Sequence, residues 1–138
     1  GMNIGGGVDL PFGRAKMTIA HHSSSLPDGS YGGSAGGYVL ETGDKRLYFA
    51  GDTAPFLEMK LIGMGGLDLA VLPIGDLFTM GPGDSLEAIK LLGAKRVVPC
   101  HYDTWPPIAQ DGAKWAERVR QQTAADPVVL APGESVAI

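Results

Sequence analysis

Residues 46–56, Arg46 to Phe56, read RLYFAGDTAPF. Leu47-Tyr48-Phe49-Ala50 is a short apolar run rich in aromatic residues, the composition of a strand buried on both faces. The run stops on Gly51-Asp52-Thr53. A glycine at that point lets the backbone turn where a side chain would clash, which sets Asp52 at the carboxyl end of a core strand, facing a crevice. The competing reading gives Asp52 the ordinary task of capping a helix opened by Pro55 and Phe56.

Outward from this stretch the chain alternates. On the amino-terminal side, Tyr38 to Thr42 and Lys45 to Ala50 flank Gly43-Asp44 and read as a hairpin. Before them, Arg14 to Ala20 alternates as a strand with Ala15, Met17 and Ile19 on one face, and a shorter strand is expected around Val8 to Phe12. Residues 21–37 are Ser, Gly, Pro and Asp with few apolar anchors, a long loop of the kind that carries function. On the carboxyl side, residues 56–63 show a short helical pattern ended by Gly63, and residues 68–74 form an apolar strand that runs into a second Gly-Asp pair, Gly75-Asp76. A helix over Asp84–Leu92, a strand over Lys95–Cys100 and a helix over Gly112–Gln122 follow, with a closing hairpin expected around Pro132-Gly133. Strands first, then strand and helix in turn, predict a layered α/β fold with a mixed sheet.

The bulk properties exclude several classes. A length of 138 residues suits a single domain, 1–138, and 44% apolar with 19% charged residues is the composition of a soluble globular chain. Net charge is −4 with no basic block, so no nucleic-acid surface is expected. Cys100 is the one cysteine, which rules out an internal disulfide and fits a reducing compartment. No apolar run approaches the ~20 residues that cross a bilayer, and the expectation is a cytoplasmic protein without membrane contact.

Three times a strand of low polarity stops on a potential metal ligand: Ala20-His21-His22, Ala50-Gly51-Asp52 and Pro99-Cys100-His101. Strand ends on one edge of a sheet converge, so two imidazoles and a carboxylate could meet there. Such donors suit zinc, iron or manganese, and a bound divalent ion lowers the pKa of its water to about 7. The plainer reading makes each histidine a hydrogen-bonded loop residue. Cys100 reads as a small buried hydrophobe rather than a nucleophile. Ser23 to Ser25 lack a Gly-x-Ser-x-Gly elbow and read as turn residues, and Gly5-Gly6-Gly7 is no phosphate loop. Trp105 and Trp115 read as packing residues.

Taken together, AHHSSS, LYFAGDT, LAVLPIGDLFTMGP, LLGAKRVVPCHYDTWPPIAQD and LAPGESVAI resemble the metallo-β-lactamase superfamily, with the likeness running through nearly the whole chain. The likeness is nearest to small metal-dependent hydrolases of the L-ascorbate-6-phosphate lactonase type. The resemblance implies an αββα sandwich and a divalent-metal cofactor, zinc or else manganese or iron. It also implies that His22, Asp52 and His101 are metal ligands, His22 on one ion, His101 on the other and Asp52 bridging both, so that Asp52 is the catalytic position. Asp76, Thr79, Met80 and Tyr102 are candidates for lining the site. The family's His-x-His-x-Asp-His motif is absent, since the only histidines are His21, His22 and His101. The chain therefore resembles the carboxy-terminal half of such a protein, a mixed sheet with helices on one face.

Half a sandwich leaves an apolar sheet face uncovered, so a homo-oligomer or a missing amino-terminal half is expected to cover it. Metal affinity should be weak with so few ligands. Two functions follow: metal-dependent hydrolysis of an ester, lactone, amide or phosphoester small-molecule substrate by metal-bound hydroxide, or a catalytically inert half-domain that oligomerises or binds a partner. Loops 23–37 and 77–83 hold no Lys or Arg, which disfavours a highly charged phosphate substrate.

Overall fold

A computed structural model describes residues 1–138. Its elements in chain order are β1 (Gly7–Leu10), β2 (Gly13–Ile19), β3 (Gly36–Thr42), β4 (Lys45–Phe49), α1 (Met59–Gly63), β5 (Leu69–Pro73), α2 (Pro82–Leu92), β6 (Arg96–Cys100), α3 (Gly112–Gln122) and β7 (Asp126–Pro127), with a 3₁₀ turn at Pro106–Ile108. All seven strands form one sheet in sequence order. β1 to β4 pair antiparallel, and β4 to β7 pair parallel. This is the mixed α/β sheet that the residue pattern predicts.

Two reversals, β2 to β3 and β3 to β4, leave β2 running in the same direction as β4, β5 and β6. The carboxyl ends of those four strands therefore share one edge of the sheet. The three parallel connections all step the same way, and right-handed crossovers then lay α1, α2 and α3 on one face. Under the helices lies the core, in which Val39, Tyr48, Ala70, Leu72 and Val97 from the strands meet Met59, Leu86, Ile89, Trp115 and Val119 from the helices. Trp115 donates its indole N–H to Ser85 Oγ at 2.8 Å, so the one polar atom of the largest core side chain is satisfied and α3 is locked to α2. α2 opens on Pro82 at its first turn and closes on Gly93 in the left-handed conformation, while Asp111 caps α3 by accepting from Lys114 N at 3.0 Å.

The other face is apolar too. Register puts Ala15, Leu40, Leu47 and Leu69 in one row across the strands, and Met17, Tyr38, Phe49, Val71 and Val98 in the next. No helix packs there; Arg96 Nη1 donates to Ala137 O at 2.6 Å, which brings the carboxyl-terminal tail to this face, and Ala15, Met17, Leu47 and Leu69 on it are buried. Tyr38 and Phe49 are cross-strand partners and both are exposed.

Two expectations need correcting. The closing hairpin does not form: Asp126–Pro127 pairs with β6, and residues 128–138 hold only a turn, with Glu134 N donating to Ala131 O at 3.0 Å. Pro127 and Pro132 each lack an N–H, which interrupts any ladder through that segment. The first helix starts at Met59, not at residue 56, with Glu58 at its N-cap and no side-chain cap. Asp52 is therefore not a helix cap.

Candidate functional site

The edge where β2, β4, β5 and β6 end carries loops 20–35, 50–58, 74–81 and 101–111. His22, Asp52 and His101 lie in three of them. Gly51 has φ 66° and a Cβ there would stand 2.8 Å from Gly36 O, so both conformation and space reserve the position for glycine. The chain turns at Gly51 and presents Asp52, whose Oδ2 lies 3.6 Å from His101 Nε2. Both side chains are partly open to solvent.

His101 is held by its neighbours. Its φ of 52° is left-handed, uncommon for a residue with a Cβ. Gly75 makes the fit possible, because a Cβ at that position would lie 2.3 Å from His101 O. His101 Nδ1 is buried and has no hydrogen-bond partner, so Nε2 is the ring nitrogen turned to the open rim. Asp76, Leu77 and Asp103 also take left-handed φ, and with His101 they are the four non-glycine residues that do so. All four sit on this edge, the distribution expected where backbone strain serves a site.

Thr53 ties the loops together, a role that the residue pattern does not reveal. It is fully buried; its Oγ1 accepts from His21 N at 2.9 Å and donates to Ala54 O at 2.7 Å, while its carbonyl accepts from Met80 N at 2.9 Å. Loops 20–35, 50–58 and 74–81 thus meet at one residue, the first through its side chain and the last through its backbone carbonyl.

His22 is at the same edge but its ring is engaged elsewhere. Its Nδ1 lies 2.8 Å from Ser23 O and its Nε2 lies 3.1 Å from Phe78 O. His21 stacks on Phe56, with ring centroids 4.9 Å apart. No group of three or more His, Cys, Asp or Glu side chains converges in a metal-ready arrangement. The structure brings Asp52 and His101 together and leaves His22 beside them.

Of the expected lining residues, Asp76 turns its Oδ1 onto Leu77 N at 2.9 Å, Met80 is buried, and Thr79 is half-buried. Tyr102 packs on the core and toward Gly112, and burial, followed by the Asp103 charge, raises its phenol above the ordinary range. Burial first, and the Asp52 carboxylate second, push the Cys100 thiol up to about 11, so it carries no thiolate at neutral pH. Trp115 is the packing residue expected. Trp105 is not: it is 48% exposed and stacks on Phe78 at 5.8 Å between centroids.

The Asp52–His101 spacing fits a shared cation. Two donors about 2.0–2.1 Å from one zinc at a tetrahedral angle stand about 3.3–3.4 Å apart. The observed 3.6 Å is close to that and too long for a direct hydrogen bond. A carboxylate and an imidazole suit zinc, iron and manganese alike.

Comparison with known proteins supplies the context. The Beta-lactamase superfamily domain family matches residues 1–102. A metal-dependent hydrolase of Thermus thermophilus is 56% identical over 133 residues, covering 96% of this chain and 59% of its own length. Among solved structures, Igni18, a metallo hydrolase from the hyperthermophilic archaeon Ignicoccus hospitalis, superimposes with a TM-score of 0.88 at 39% identity, over 99% of this chain and 59% of that one. A putative metal-dependent hydrolase from Parabacteroides distasonis shares the fold, with a TM-score of 0.71 at 20% identity over 93% of this chain and 56% of that one. The chain thus spans about 59% of the length of the first two of these relatives. No helix is long and apolar enough to cross a membrane.

Proposed function

Because the chain belongs to the metallo-β-lactamase superfamily, we propose that its carboxyl strand edge is part of the active centre of a metal-dependent hydrolase. One observation carries the reading: Asp52 Oδ2 and His101 Nε2 face each other at 3.6 Å on that edge. These two side chains would hold a divalent ion, zinc in the first instance and manganese or iron otherwise. His22 is the third ligand in this proposal, and its ring would have to leave Ser23 O and Phe78 O to serve. When bound, the metal supplies a water acidic enough to act at neutral pH. The chain's own part is to orient the donors: Thr53 fixes the loops, and Gly51 and Gly75 let Asp52 and His101 approach. The reaction class in this proposal is hydrolysis of an ester, lactone, amide or phosphoester.

Elemental analysis of the purified chain, with turnover of a generic ester and a phosphodiester, tests this. Bound metal lost on replacing Asp52 by Ala supports the reading. Metal content indifferent to Asp52, with no turnover of either substrate, rejects it.

A second reading rests on the apolar sheet face. Tyr38, Phe49, Val71 and Val98 lie in one row with no helix over them. In this reading the chain is half of a sandwich, catalytically inert by itself, and a second copy covers the face across a two-fold axis. Light scattering at micromolar concentration decides: a dimer supports the pairing, and a soluble monomer rejects it.

A further inference from the structure

The hydrolase edge carries an aromatic wall and an acidic field, and together they narrow the substrate. Leu77 is 65% exposed, Phe78 51% and Trp105 48%, so three large apolar side chains stand in solvent on one rim. Phe78 and Trp105 stack with planes 13° apart. They belong to the site by connection: Phe78 O contacts His22 Nε2 at 3.1 Å, and Trp105 follows His101 in loop 101–111. Nor is the wall loose. Met80 is buried and donates its N–H to Thr53 O at 2.9 Å, which anchors loop 74–81 behind Phe78. Pro106 and Pro107 restrict the backbone directly after Trp105. Asp76 and Leu77 adopt left-handed φ of 63° and 48°, an arrangement that keeps Leu77 and Phe78 pointing outward rather than folded onto the core.

The loops at this edge carry formal charge of one sign. None of the 11 Lys and Arg residues falls in loops 20–35, 50–58, 74–81 or 101–111, whereas Asp28, Asp52, Glu58, Asp76, Asp103 and Asp111 do. Of these carboxylates only Asp111 meets a lysine, Lys114 at 3.3 Å. A phosphate or carboxylate substrate finds no guanidinium or ammonium group in these loops to pair with.

We infer that Leu77, Phe78 and Trp105 are specificity-determining residues that bind the apolar, flat portion of an uncharged substrate, an aryl or alkyl ester, lactone or amide, in preference to a phosphorylated one. This rests on the hydrolase reading, and the test is independent of metal and turnover. The metal-free chain is titrated with 2-acetonaphthone, a neutral aryl ketone that cannot be hydrolysed, and separately with 2-naphthyl phosphate. The readout is the two indole N–H resonances. That of Trp105 reports the wall, while that of Trp115, bonded to Ser85 inside the core, is the internal control. The expected result is a saturable shift of the Trp105 resonance with the ketone, at least about tenfold weaker with the phosphate, and weakened about tenfold by Phe78→Ala with the Trp115 resonance in place. Equal or tighter binding of the phosphate overturns the inference, as does a Phe78→Ala chain that binds the ketone unchanged or a Trp105 resonance that does not move. Failure of metal binding with a moving Trp105 resonance rejects the hydrolase reading instead.

Discussion

The two edges of the sheet are built from opposite solutions to the same problem. At the edge opposite the candidate site, the turns are short and left-handed positions go to glycine: Gly43, Gly66 and Gly93 have φ of 58°, 75° and 59°. Charges there are paired. Lys95 meets Asp68 at 2.8 Å, and Arg46 Nη1 donates to Ile62 O at 2.8 Å and Gly66 O at 3.1 Å. At the site edge the loops are long, left-handed φ falls on Asp76, Leu77, His101 and Asp103 as well as on Gly29, Gly33 and Gly51, and the acidic groups mostly lack a cation. One edge is made for stability, the other tolerates strain and unbalanced charge to hold particular side chains outward.

The largest expected effect breaks the stable edge. A Cβ at Gly63 would stand 2.1 Å from Leu92 O, backbone that cannot move without parting α1 from α2. Gly63→Ala should cost about 3 kcal/mol in a urea titration, at the top of the range for overpacking; an unchanged midpoint would show that the two helices are free to separate.

Next in size is an effect in the core between the edges. Burial pushes the Tyr48 phenol up to about 12 from its ordinary 10.0. The neutral form is the one the fold accepts, so this contribution is complete below pH 10 and is lost as pH rises from 10 toward 12. Unfolding free energy should fall there by about 2–3 kcal/mol, and Tyr48→Phe should remove that slope. A slope that survives the substitution would assign it to another group.

Thr53→Val tests the site edge. It deletes the acceptor for His21 N and the donor to Ala54 O while keeping the shape. The expected loss is about 1–2 kcal/mol, with faster amide exchange at His21, whose N–H loses its acceptor, than at the opposite edge; uniform acceleration would deny Thr53 a local role.

The smallest pair sharpens the contrast directly. Leu77→Gly should stabilise by up to about 1 kcal/mol by releasing its left-handed strain, and Gly93→Ala, open in space but with φ 59°, should destabilise by about as much. Changes of the same sign in thermal unfolding would erase the distinction between the edges.

What could be read from the residues follows the same division. Apolar runs such as Leu69–Pro73 and the amphipathic pattern of Gly112–Gln122 name their elements directly, because burial alone selects those residues. Gly51-Asp52 was legible as a strand-end turn for the same reason, since a close backbone contact leaves glycine as its trace. Less legible was the use of each side chain. Nothing in the spacing distinguishes His22, whose nitrogens meet carbonyls of Ser23 and Phe78, from His101, whose Nε2 faces Asp52. Trp105 reads as packing because composition does not reveal exposure, and the pattern gives Thr53 no role because its partners His21 and Met80 lie in loops remote along the chain.

The central claim is that Asp52 and His101 are a pair of metal donors on one edge. A calorimetric titration of zinc into the chain and into Asp52→Ala, His101→Ala and His22→Ala chains tests it most directly. The account predicts weak binding of one ion, lost at least about tenfold with Asp52 or His101 and reduced less with His22, whose ring is committed elsewhere. Zinc binding that is indifferent to Asp52 and His101 would contradict it.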